Sequence, residues 1–221
     1  MEYSGIVQKL GKQRYLCFSL IAFLLAGPLV GGHLGGRVVM YSVLTLVLIT
    51  GPLAVASSTF ARRMTYGLAA ITLASGLLSI IAEDSVFWAF ATAFGVLFFG
   101  CIAGMVSKEV LFKNQRINSE VLWGAVNVYL MIGICFSFLF ALFAIFDPGL
   151  FVGKFMDEPL RDQIYGFIYF SFVTLTTLGY GDVTPNQPFV GTLTYMEALI
   201  GQLYLAILVA RLVGLYASRE D

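Results

Sequence analysis

Charge is scarce in this chain of 221 residues: 12% are charged, 59% are hydrophobic, and the mean hydropathy is +0.87. One water-soluble core cannot hide that much apolar surface, so a soluble enzyme and a disordered or collagen-like chain are excluded and the expected solvent is lipid. The 13 basic and 13 acidic residues cancel without forming a block of like charge, which gives no reason to expect a nucleic-acid partner. Cysteine is sparse. Cys17, Cys101 and Cys135 fall inside apolar runs without CxxC spacing, and read as small buried hydrophobes rather than a disulfide frame or a metal cluster. The lone His33 sits in a Gly-rich stretch with no second imidazole nearby, so it reads as interfacial rather than as a zinc ligand or proton relay. Neither GxSxG nor HExxH occurs, which argues against an intramembrane hydrolase, and no cofactor is expected.

Long apolar runs are what the chain does have. They cover about residues 15–34, 38–57, 66–82, 86–106, 121–146 and 189–214. A hydrocarbon layer about 30 Å thick needs roughly 20 helical residues at 1.5 Å each, so the pattern predicts an all-α integral membrane protein with six transmembrane helices. Between the last two runs, residues 147–188 hold a charged segment and then the apolar run 164–175, which is too short to cross and reads as a re-entrant helix. The organisation expected is four spans over 1–107, a cytoplasmic linker over 108–120, and two spans flanking the re-entrant segment over 121–221. Gly27-Pro28-Leu29 and Gly51-Pro52-Leu53 repeat a tripeptide that reads as a kink in each of the first two spans.

Orientation follows from the basic residues. An inside N-terminus puts Lys9, Lys12, Arg14, Arg62, Arg63, Lys108, Lys113, Arg116, Arg211 and Arg219 on the cytoplasmic side, against Arg37, Lys154 and Arg161 outside. That asymmetry places both termini in the cytoplasm and the protein in a plasma or inner membrane. Basic residues followed by an apolar run and Ala26-Gly27 are similar to a signal peptide, but the run reaches span length and reads as the first helix. In the linker, Val110, Leu111, Phe112 and Ile117 alternate with Lys108, Lys113 and Arg116; this is either an interfacial helix near anionic lipid headgroups or a plain connection.

The decisive segment is Thr174-Leu175-Thr176-Thr177-Leu178-Gly179-Tyr180-Gly181-Asp182, directly after the short aromatic run. A bare GYG would arise in about a tenth of shuffled chains of this composition. Requiring Thr177 two residues before it and Asp182 directly after it lowers the chance to the order of 10⁻⁴. In this motif the chain resembles the potassium channel family, whose signature is Thr-x-Gly-Tyr-Gly after a pore helix and between two membrane helices. The resemblance runs from about residue 121 to 215. It departs from the family pattern at Leu178, where valine is usual, and at Tyr169 and Phe170, where paired tryptophans are often seen.

The resemblance implies a homotetramer around a central pore, with K+ bound by the carbonyls of Thr177, Leu178, Gly179 and Tyr180 and by the Thr177 hydroxyl, and with Asp182 bracing the strip from behind. Physical chemistry accounts for these residue types. A permeating cation exchanges water for oxygen ligands, and backbone carbonyls supply them without fixed negative charge. Aiming successive carbonyls at one axis requires alternating backbone hand, which Gly179 and Gly181 adopt without a Cβ clash. A re-entrant helix whose C-terminus faces the pore adds partial negative charge that favours cations. Thr176, Tyr169, Phe170 and Glu197 are the other expected supports of the filter.

Residues 189–214 are the expected inner helix, with Leu205, Ala206, Val209 and Ala210 as candidate pore lining. Gly201 lies 20 residues after Gly181, similar to the family's hinge glycine; it allows either a bend or close helix packing. Glu197 is the one acid within an apolar run, and is either a proton-sensitive brace behind the filter or a constitutive hydrogen-bonding group. Asp147, Asp157, Glu158 and Asp162 outnumber Lys154 and Arg161 before the pore helix, an excess that would gather cations at the mouth. Voltage sensing is not expected, because 86–106 contains no Lys or Arg, and Arg62, Arg63, Glu83 and Asp84 sit between runs. Besides a potassium-selective channel, two readings remain open: a weakly selective cation channel, which Tyr180 opposes, and a non-conducting subunit of a larger assembly.

Overall fold

The computed structural model describes residues 12–29, 34–55, 59–82, 84–112, 119–159 and 162–217. Seven α-helices lie within them: α1 (Lys12–Leu29), α2 (Leu34–Ala54), α3 (Thr59–Ala82), α4 (Ser85–Phe112), α5 (Ser119–Phe146), α6 (Gln163–Leu175) and α7 (Pro188–Ala217). Between α5 and α7 two short strands, β1 (Phe151–Gly153) and β2 (Val183–Pro185), pair antiparallel with Phe151 opposite Pro185, Val152 opposite Thr184 and Gly153 opposite Val183. Each apolar run thus coincides with a helix. Three helices among the described residues, Ser85–Phe112, Ser119–Phe146 and Pro188–Gly214, are long and apolar enough to cross a membrane. His33, Glu83, Arg161 and the linker positions Lys113, Arg116 and Ile117 lie outside the described residues, as do Lys9 and Arg219.

Local chemistry sets the helix ends. The second Gly-Pro-Leu tripeptide falls in the last turn of α2, with Pro52 inside the helix that ends at Ala54; the first lies against residues outside the described ones. Pro52 cannot donate its N–H, which weakens that last turn. The linker differs from expectation in its first half. No glycine or proline interrupts Ser107 to Phe112, so α4 continues through it, with Val110 buried and Phe112 81% exposed.

Contacts group the chain into two compact units, one from 1–67, 100–131 and 204–221, the other from 68–99 and 132–203. The first unit buries Leu16, Leu20 and Phe23 of α1, Val47 and Leu48 of α2, Ile102 and Val106 of α4, and Val128 and Met131 of α5. Two of its amide side chains bond across helices. Gln13 Nε2 donates to Ala54 O (3.2 Å), and Asn127 Nδ2 donates to Gln13 Oε1 (2.9 Å) and Gln13 O (2.7 Å). Such bonds tie α1 to α2 and α5, since an apolar interior offers these amides nothing else. The second unit is built on aromatic rings. Phe140 lies 5.7 Å from Phe151 and 5.2 Å from Phe170, and Phe167 lies 5.0 Å from Phe151 and 4.9 Å from Phe155. Edge-on contacts of this kind fix ring orientation as well as burying area, and here they anchor one side of α6.

Candidate ion-conduction site

Helix α6 is short because the chain after it uses its carbonyls. Thr176 N and Thr176 Oγ1 both donate to Phe172 O (3.1 and 2.6 Å), Thr177 N donates to Thr174 O (2.9 Å), and Leu178 N donates to Val173 O (2.9 Å). Carbonyls that a helix end leaves unpaired are thereby satisfied, and residues 176–178 are held against the helix they follow. Ser171, Val173 and Leu175 are buried beneath this turn.

The strip that follows alternates in backbone hand. Thr177, Gly179 and Gly181 have φ of 60°, 57° and 76°, while Leu178 and Tyr180 between them do not enter the positive region. Alternating hand is the backbone condition for a row of carbonyl oxygens along one side of a strip. The two glycines adopt it without a Cβ penalty. Thr177 is the sole non-glycine residue with positive φ among the described residues, and a β-branched residue there costs about 1–2 kcal/mol. Its bond to Thr174 O and the neighbouring bond to Val173 O hold it in place. Sequence reasoning assigned positive φ to the glycines alone. Counting back by two from Gly181 would have found Thr177.

Tyr169 and Asp182 are joined at the Asp182 end of the strip. Tyr169 Oη donates to Asp182 Oδ2 (2.8 Å), Val183 N donates to Asp182 Oδ1 (3.1 Å), and the Tyr169 and Tyr180 rings stack at 6.4 Å with planes 11° apart. Both carboxylate oxygens are thus engaged. The Asp182 hydrogen bond, with desolvation and the Asp182 charge, raises the Tyr169 phenol above its ordinary value and keeps it a donor. Beyond Asp182, β2 is clamped to β1, and Asn186 adds N to Leu150 O (2.8 Å) and Nδ2 to Gly149 O (3.0 Å). Phe170, expected beside Tyr169 as a support, has its ring contacts with Phe140 and Phe151.

Helix α7 meets α6 through two residues one turn apart. Glu197 is buried, and its Oε1 is in hydrogen-bond contact with Ser171 Oγ, which also lies 2.6 Å from Gly133 O of α5. A Cβ built on Gly201 would fall 2.8 Å from Leu175 O and 2.7 Å from Leu175 Cδ1. Helix α7 runs unbroken through Gly201, so close packing is the role its surroundings support. One turn further, Tyr204 Oη donates to Ala125 O (2.8 Å). Leu205, Ala206, Val209 and Ala210 lie exposed on the same helix. Ser171 and Gly133 drew no attention in the sequence, since a serine in an aromatic helix and a glycine in an apolar one carry no motif.

A family model described as an ion channel matches residues 128–217, the stretch that holds α6, the alternating strip and α7. Curated relatives agree. The chain is 25% identical over 116 residues to two pore potassium channel a of Oryza sativa subsp. japonica, covering 52% of this chain and 30% of that protein. It is 33% identical over 95 residues to two-pore potassium channel 4 of Arabidopsis thaliana, covering 42% of this chain and 29% of that one. Residues 128–217 thus match a model of ion channels, and these relatives are named as potassium channels. The matched model describes ion channels rather than enzymes, and with its long apolar helices the protein is a membrane protein. The matched stretch spans less than a third of the length of these relatives. No solved structure matches the chain.

Proposed function

We propose that four copies of this chain form a potassium-selective channel that conducts K+ passively through a central pore. The observation that carries the reading is the alternation of backbone hand over Thr177 to Gly181, set at the end of a 13-residue apolar helix. In the assembly, the carbonyls of Thr177, Leu178, Gly179 and Tyr180, with the Thr177 hydroxyl, replace the ion's hydration shell. Tyr169 and Asp182 brace the strip, and the carbonyl end of α6 favours a cation below it. One copy cannot coordinate the ion alone. Leu178 and Tyr180 are 58% and 65% exposed, and the spanning window of α7 is 17% buried against 44% and 50% for α4 and α5. That uncovered apolar helix is what neighbouring copies and a central cavity would cover, with Leu205, Ala206, Val209 and Ala210 toward the cavity.

All six apolar runs cross the membrane in this reading, with both termini cytoplasmic in a plasma or inner membrane whose anionic lipids meet the basic inner loops. Opening does not depend on voltage, because α4 carries no basic residue before Lys108. Purified protein in liposomes tests the proposal. Wild type should pass K+ far faster than Na+, and Gly179→Ala should abolish that preference. Silent liposomes containing intact tetramers would favour a non-conducting subunit, and equal K+ and Na+ flux a weakly selective channel.

A further inference from the structure

The buried contact of Glu197 is not explained by the conduction path, since none of its hydrogen-bond partners is a filter residue. Its chemistry follows from counting protons. The Ser171 hydroxyl has one hydrogen and meets two oxygens, Gly133 O at 2.6 Å and Glu197 Oε1. A peptide carbonyl only accepts, so the hydroxyl proton belongs to the bond with Gly133 O. The second contact then needs a proton from the other side, and a neutral carboxyl supplies it. Glu197 Oε2, buried and without a hydrogen-bond partner among the described residues, points the same way: an ionised carboxylate with a bare oxygen in an apolar interior is far more costly than a neutral one.

We infer that Glu197 is a neutral positioning residue in a one-way relay, Glu197 O–H to Ser171 Oγ–H to Gly133 C=O, that joins α7, α6 and α5 behind the filter. Gly133 and Gly201 make room for it. A Cβ on Gly133 would fall 2.8 Å from the Phe172 ring, as one on Gly201 would strike Leu175, so the three helices approach closely on both sides of the relay. Ser171 sits six residues before Thr177 and one turn before Leu175. A shift of α6 along α7 would break the relay and carry the start of the strip with it. Glu197 touches no ion in this arrangement and acts through Ser171. The functional consequence rests on the channel reading, whereas the relay itself does not.

Two measurements test it. In infrared spectra of purified protein, the wild-type minus Glu197→Gln difference should contain the carbonyl band of a neutral carboxyl; a lost carboxylate band instead would overturn the relay whether or not the protein conducts. In liposomes, Glu197→Gln keeps a donor and should hold the K+ over Na+ flux ratio within about twofold of wild type, while Glu197→Met and Ser171→Ala should each lower it about tenfold. The double variant should fall no further than either single one, as expected for members of one chain. Loss of selectivity in Glu197→Gln equal to that in Glu197→Met would overturn the donor role. A wild type that passes no K+ would remove the channel reading and leave the infrared result to decide the relay.

Discussion

Gly201 and Leu175 touch so closely that a single added carbon on Gly201 would lie 2.8 Å from the Leu175 carbonyl oxygen. The neighbour here is backbone at the end of α6, which cannot swing aside as a flexible side chain would. Position 201 therefore fixes how near α7 comes to Leu175, the last residue of α6 before the alternating strip.

Gly201→Ala should push α7 off α6 and destabilise the protein by about 1–3 kcal/mol. Gly179→Ala offers a contrast. Nothing lies within 4 Å of a Cβ at Gly179, but its φ of 57° makes any L side chain cost about 1–2 kcal/mol. Thermal unfolding in detergent should show the larger drop for Gly201→Ala. Ion selectivity should be lost in Gly179→Ala while assembly persists.

The bond from Tyr169 to Asp182 exists only while the phenol keeps its proton. Its folded-state value is raised, so the contribution is complete below the ordinary tyrosine value of about 10 and fades as pH climbs through the higher one. Wild-type flux should hold steady up to about pH 10 and decline above it. Tyr169→Phe should start lower and lose that alkaline step. A step of the same size in both proteins would assign it to another group.

Phe167 is fully buried between Phe151 and Phe155, and Gly166 leaves room for the Phe155 ring, which a Cβ there would meet at 2.1 Å. Phe167→Ala should cost about 3–5 kcal/mol, measured by denaturant unfolding in mixed micelles. Because this cluster seats α6 from one side, the loss should lower channel assembly along with stability.

Currents through planar bilayers should vary with voltage without a steep threshold. One charge crossing 100 mV yields about 2.3 kcal/mol, and α4 holds none in its first 23 residues to move. Multi-charge gating current would contradict this expectation.

The sequence made the helices and the strip legible for different reasons. Apolar runs of span length leave little choice of structure in lipid, and Gly179 and Gly181 sit at a spacing that alternating backbone demands. Thr177 escaped because positive φ at a β-branched residue runs against local preference and is imposed by bonds to Val173 O and Thr174 O. The ribbon of β1 and β2 escaped because three residues per strand show no period. Tyr169 and Phe170 were named together because the resemblance puts paired tryptophans there; neighbouring residues on a helix point about 100° apart, and the Tyr169 ring stacks on Tyr180 while Phe170 meets Phe140 and Phe151. Glu197 stood out as a lone acid, but its partner Ser171 lies 26 positions away and meets Gly133 a further 38 positions back, and only the fold brings the three together.

The β1–β2 ribbon bears on how the chain tolerates changes in length. Leu175 is seated at one end of the filter strip and Val183 is paired with Gly153 at the other, so the contour between them is fixed. An inserted or deleted residue between them would have to be absorbed by the strip itself, throwing every later residue out of the alternation of backbone hand. The turn Lys154–Asp157 leads away from the ribbon and is held instead through Phe155, which packs on Phe167, so extra residues there would disturb the aromatic seat of α6 before the length of the strip.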